Sequence, residues 1–156
     1  MYRNTESGRR LISLVDAFDS DGYEVVKIST YNGRRGIVAQ SRTAFNYDTG
    51  KPKKVYYLEG TPYEMGYLMG CLAEEEVSRM TSEYAHKVVF SFIGSSALEK
   101  ATLIQKAFLR IVYDFSKKAW NSIPTEIKDE IQGIYDGCRK RNSKTKVNLE
   151  HLVVLN

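Results

Sequence analysis

The chain has 156 residues, 42% of them hydrophobic and 27% charged, an ordinary globular composition that excludes disorder as the default state. Its net charge of +4 and isoelectric point near 9.0 permit an anionic partner without requiring one. Two cysteines far apart exclude a disulfide framework and point to a reducing, cytoplasmic compartment.

Residues 1–10 are polar and charged. The apolar run Leu11-Ile12-Ser13-Leu14-Val15 is too short for a signal-peptide core and is followed by Asp16 and Asp19. No run of about eighteen apolar residues exists, so no membrane span is expected. Tyr23–Ile28 and Gly36–Ser41 alternate as strands, with Asn32-Gly33 as the turn between them. Residues 47–52 form a second turn or loop and lead into a third strand, Lys54–Leu58. Residues 1–59 thus read as a β-rich segment and 60–156 as a helical one, within a single domain or part of one.

Gly60 allows a tight strand-to-helix corner, and the start of the first helix is well marked. Thr61 is an N-cap, Pro62 fills the first helical position, and Glu64 completes a capping box. Met65, Leu68, Met69, Leu72, Val77, Met80, Tyr84 and Val88 then predict one apolar stripe on a single long helix, opposite Glu74, Glu75, Arg79 and Glu83. Gly66 and Gly70, four apart, would let a neighbouring strand or helix approach the backbone closely. Gly94-Ser95-Ser96 breaks that helix, and Ser96 with Glu99 repeats the capping box before a second one. Ala101, Ile104, Phe108, Ile111, Val112, Phe115 and Ala119 form the apolar face of the second helix, which the short connection sets antiparallel to the first. Pro124 opens a third helix and Asn148 caps a short terminal one. The apolar end Leu149, Leu152, Val153, Val154 and Leu155 expects more chain or a partner to cover it.

The residues that carry chemistry are few. Cys71, Cys138, His86 and His151 are the only thiols and imidazoles; on one straight helix Cys71 and His86 would stand about 22 Å apart, too far for a dyad. Cys71 reads as a small buried hydrophobe, whereas the field of Arg139, Lys140 and Arg141 would favour a thiolate at Cys138 if its sulfur were exposed. No metal-ligand spacing occurs, and Glu74-Glu75-Glu76 reads as a solvated face. Neither common phosphate loop is present, so no cofactor is expected. Arg139, Lys140, Arg141, Lys144 and Lys146 form a basic cluster at a helix C-terminus, where positive charge complements the macrodipole. It has no interleaved aromatic residues, so nucleic acid is not expected as a partner.

Four segments in chain order carry a resemblance: Gly60-Thr61-Pro62-Tyr63-Glu64-Met65-Gly66-Tyr67-Leu68-Met69-Gly70, Val88–Gly94, Ile131–Gly137 and the closing Leu152-Val153-Val154-Leu155-Asn156. Over residues 54 to 156 the chain resembles the N-terminal part of the autoproteolytic acyltransferases and amidohydrolases, N-terminal-nucleophile hydrolases related to acyl-coenzyme A:6-aminopenicillanic acid acyltransferase and to phospholipase B-like proteins. The lack of a secretion signal sets it closer to the bacterial, intracellular branch than to the phospholipase B-like one. The resemblance implies an α+β fold in which this mainly helical part, with a small antiparallel β element, belongs to an αββα sandwich. It also implies a precursor that cuts itself before a cysteine located beyond the matched residues. No catalytic residue is therefore expected in this chain. Its implied partners are a cysteine-bearing C-terminal fragment of the same precursor and an acyl substrate with an amide or ester bond. Tyr84, Phe90 and Phe92 are the candidate substrate-binding residues of the acyl pocket. The alternative reading is a non-enzymatic helical interaction module whose basic segment binds anions.

Overall fold

The computed structural model describes residues 6–84 and 102–155. They form six α-helices and a three-stranded antiparallel sheet, a mixed α+β class. The chain divides into two compact units, Met1–Glu59 and Gly60–Asn156.

In the first unit, α1 (Glu6–Ser20) precedes β1 (Tyr23–Tyr31), β2 (Arg34–Phe45) and β3 (Pro52–Leu58), with β2 central. The run Leu11–Val15, too short for a signal core, lies inside α1. All three strands outrun their alternating apolar stretches because backbone pairing continues through polar residues, as in Thr30 opposite Arg35 and Tyr31 opposite Arg34. At the β1–β2 turn Asn32 and Gly33 have φ of 49° and 75°, the left-handed pair that a two-residue hairpin requires. Val26 is an extra residue in β1, between the pairs Val25–Ala39 and Lys27–Val38, and it is exposed. The larger irregularity on β2 is closed by the buried Ser41, whose Oγ accepts from the Ala44 and Thr43 amides at 2.9 and 3.3 Å. Ile37, Val38 and Ala39 of the central strand are fully buried.

The second unit opens with α2 (Pro62–Leu72), and the capping box is present: Glu64 N donates to Thr61 Oγ1 at 3.4 Å while Thr61 N donates to Glu64 Oε2 at 2.9 Å. The single long helix expected from the apolar stripe is instead three pieces. α2 stops at Ala73, whose φ of −117° and ψ of 23° are not helical; α3 (Glu74–Arg79) follows, and then a π-helical turn, Met80–Tyr84. Glu74 is buried and accepts from Asn142 Nδ2 at 3.2 Å and from Thr145 Oγ1 at 2.5 Å, so the acidic triplet is not a uniformly solvated face. The widened turn has a local cause as well: the buried Thr81 hydroxyl donates back to the carbonyls of Val77 and Ser78 at 3.0 and 3.2 Å. Met80, assigned to the stripe, is 52% exposed.

The capping box at Ser96 and the antiparallel turn between the first two helices lie outside the described residues. α4 (Leu103–Trp120) begins at a different reciprocal cap, Thr102 N to Gln105 Oε1 at 2.8 Å and Gln105 N to Thr102 Oγ1 at 3.3 Å. Ile104 and Ile111, expected on its buried face, are 83% and 64% exposed, because no described residue packs over them. α5 (Thr125–Arg141) starts after Pro124. α6 (Leu149–Leu155) is capped by Asn148, whose Oδ1 accepts from Glu150 N at 2.8 Å. It packs on α4, α5 and the π-helical turn, so its apolar end is partly covered within the unit, with Leu152 5% exposed. Leu68, Leu72, Ala73, Val77, Ile131, Cys138 and Val147 complete this core.

Candidate functional site

The residues of the second unit converge on one contact, the seam between α2 and α5. Each helix carries the same six-residue pattern, Gly66-Tyr67-Leu68-Met69-Gly70-Cys71 on α2 and Gly133-Ile134-Tyr135-Asp136-Gly137-Cys138 on α5. A Cβ on Gly66 would lie 2.1 Å from the Glu130 carbonyl oxygen, and one on Gly70 2.3 Å from that of Ile134. In the other direction, Gly133 would meet the Tyr63 oxygen at 2.2 Å and Gly137 that of Tyr67 at 2.1 Å. Residue numbers rise together along both helices, so they run parallel, and the four contacts repeat with the same offset between glycines. The seam is a local pseudo-twofold. Where a side chain would collide, glycine presents a hydrogen to a carbonyl oxygen, a weak Cα–H···O contact of about 0.5–1 kcal/mol. The close approach expected at Gly66 and Gly70 is thus met, and by a helix that carries the same pair.

The two thiols follow the same symmetry. Cys71 Sγ donates to the Gly137 carbonyl at 3.4 Å and Cys138 Sγ to the Gly70 carbonyl at 3.6 Å. Burial pushes the Cys71 thiol up, against a smaller opposite pull from Arg141 and Lys140. Cys71 is half-buried rather than fully enclosed. Cys138 has no exposed surface, and burial, reinforced by the charges of Glu74 and Cys71, pushes its thiol up to about 12. The basic run beside Cys138 in sequence therefore does not produce a thiolate, because its sulfur faces the other helix and not the cations. At one flank of the seam Asp136 accepts from Tyr63 OH at 3.0 Å and from Gln132 Nε2 at 3.1 Å, which ties α2 to α5.

The candidate pocket residues lie at or beyond the edge of the described part. Tyr84 ends the π-helical turn, its side chain outside the description; Phe90, Phe92 and His86 lie outside the described residues. His151 is half-buried on α6. Among the described residues no three His, Cys, Asp or Glu side chains form a metal-binding group.

Sequence reasoning passed over a partly buried ion pair in the first unit. Arg35 at the start of β2 is 7% exposed; its Nε and Nη2 donate to Glu59 at 3.1 and 2.6 Å, and Tyr57 OH donates to the same carboxylate at 3.0 Å. These bonds, the one from Arg35 foremost, hold the Glu59 carboxyl below its ordinary range, and Glu59 in turn raises Arg35. The signal was available in the register, since Gly36 pairs with Leu58 and the next residues out are Arg35 and Glu59.

No family model matches the chain, and no solved structure matches it. It is 30% identical over 135 residues to an uncharacterized protein of Archaeoglobus fulgidus, an alignment that takes in 86% of this chain and 20% of that protein. The chain spans about a fifth of the length of the relative it matches.

Proposed function

We propose that this chain is the N-terminal, α-type portion of a self-processing acyltransferase or amidohydrolase of the N-terminal-nucleophile class. On this reading it is inactive without a cysteine-bearing remainder and serves as scaffold within an αββα sandwich. The observation that carries the reading is the seam itself. Two of the four segments on which the resemblance rests, Gly60–Gly70 and Ile131–Gly137, lie in the two helices that meet there glycine to glycine. The state of the thiols agrees with it, because the fully enclosed Cys138, at about 12, is no nucleophile near neutral pH. The archaeal relative is long enough to hold further elements. Tyr84, Phe90 and Phe92 would wall the acyl pocket of the assembled enzyme, and the new N-terminal cysteine would attack the amide or ester carbonyl with its own α-amine as base.

The test is the intact mass and N-terminal sequence of the polypeptide made from the complete reading frame that contains this chain. The expected result is two co-eluting fragments, the second beginning with cysteine, and turnover of amide or ester substrates that is lost when that cysteine becomes alanine. A polypeptide that stays uncut, or activity that survives this substitution, refutes the reading.

A further inference from the structure

We infer that the C-terminal end of α5 and the turn behind it form a docking platform for an anionic phospholipid surface. From Gly137 to Leu149 the chain carries five cations, Arg139, Lys140, Arg141, Lys144 and Lys146, and no carboxylate. All five are exposed, and none has an ion pair among the described residues. The helix macrodipole accounts for the first three, which sit in the last turn of α5. It does not account for Lys144 and Lys146, which lie beyond the helix.

Those two lysines are placed by the backbone around them. Asn142 and Thr145 turn inward to the buried Glu74. Asn142 Oδ1 accepts from Lys144 N at 3.0 Å, its carbonyl accepts from Thr145 N at 3.0 Å, and Val147 is buried. Inward Thr145 and Val147 alternate with outward Lys144 and Lys146. The Glu74 carboxylate is thereby spent on neutral donors, and the lysines of the turn point outward without an ion pair among the described residues.

Charge density favours a lipid surface over a nucleic acid. A nucleic-acid site that reads or stacks bases adds side chains for that purpose to its phosphate-contacting cations. The aromatic residue beside this cluster is Tyr135, which is half-buried and lies under the Arg139 guanidinium, 5.6 Å from the ring centroid. An anionic bilayer asks only for several basic side chains on one solvent-facing segment. No described helix is long and apolar enough to cross a membrane. The platform does not depend on the acyl-transfer reading.

The test is co-sedimentation of the intact protein with vesicles of phosphatidylcholine containing about 30% phosphatidylglycerol, at low and high salt. Binding at low salt and release at high salt are expected, with no binding to pure phosphatidylcholine. Each cation at such a surface contributes about fivefold in partitioning, so Lys144→Gln with Lys146→Gln should lose about twenty-five-fold and the variant with all five cations replaced by glutamine at least about a hundredfold. A control variant, Lys106→Gln, Arg110→Gln and Lys118→Gln, removes three exposed α4 cations and should stay within about threefold. Equal loss in the control, binding that survives replacement of all five cations, or capture of an oligonucleotide but not of vesicles would each overturn the proposal.

Discussion

Replacing Gly70 by alanine puts the α2–α5 seam to a quantitative test. The added Cβ would stand 2.3 Å from the Ile134 oxygen, 2.7 Å from Cys138 N and 3.0 Å from Gly137 Cα, all backbone atoms. An ordinary carbon–oxygen contact is about 3.2 Å, so the helices must part by roughly 1 Å, a gap that forfeits up to half of each dispersion contact. With about 40 atom pairs at about 0.15 kcal/mol each, the loss is about 3 kcal/mol, and the lost Cα–H···O contacts add about 1 kcal/mol. Alanine returns about 1 kcal/mol in helix propensity. The net expectation is a destabilisation of about 2–4 kcal/mol, read as a lower urea midpoint with Trp120 fluorescence and far-ultraviolet circular dichroism as probes. Adding Gly137→Ala should cost less than Gly137→Ala alone, because the helices have already separated. A Gly70→Ala protein that is as stable as the parent, or more stable by the propensity term, would refute the seam.

Thr61→Ala should cost about 1 kcal/mol by removing the side-chain acceptor of the α2 capping box, with Thr61→Ser largely neutral, both by thermal melting. Glu59→Ala leaves the buried Arg35 guanidinium without its carboxylate and should destabilise by about 1–3 kcal/mol in denaturant titration, more than Glu24→Ala on the exposed side of β1. The pH dependence of this pair has a definite sign: the folded-state Glu59 pKa is depressed, so its stabilisation is present above the ordinary value of 4.5 and is lost as pH falls below it. Acid titration should therefore lower the melting temperature of the parent more than that of Glu59→Gln. Cys138 has the opposite sense, its thiol raised from 9.0 to about 12, so that its contribution is intact below pH 9 and lost as pH rises through that interval. A thiol reagent at neutral pH should label Cys71 well before Cys138, and equal labelling in the folded protein would contradict the burial of Cys138.

What could be read from the sequence was local. Thr61 with Glu64, Asn32 with Gly33 and Asn148 each carry their partner within a few residues, and each does in the structure what its chemistry dictates. The breaks at Ala73 and Met80 were not legible, because neither glycine nor proline marks them. One accompanies the bonds from Glu74 to Asn142 and Thr145, 68 and 71 residues away; the other accompanies a threonine hydroxyl turned back onto its own helix. At the seam, Gly66 and Gly70 announced a close approach but not its partner, although Gly133, Gly137 and Cys138 repeat the spacing of Gly66, Gly70 and Cys71. A helical glycine pair states that something comes near; only two such pairs compared with each other suggest what.

The parallel course of α2 and α5 also sets the order in which this unit can assemble. Gly70 and Gly137 are 67 residues apart, and closing a chain of that length costs roughly 4 kcal/mol of entropy before a single seam contact forms. During synthesis α2 emerges long before its partner exists. Until residues 133–138 have left the ribosome, Tyr63, Tyr67 and the bare backbone at Gly66 and Gly70 face water or whatever else is at hand. Nascent α2 thus waits with its glycine face uncovered, and α5 is the helix that covers it.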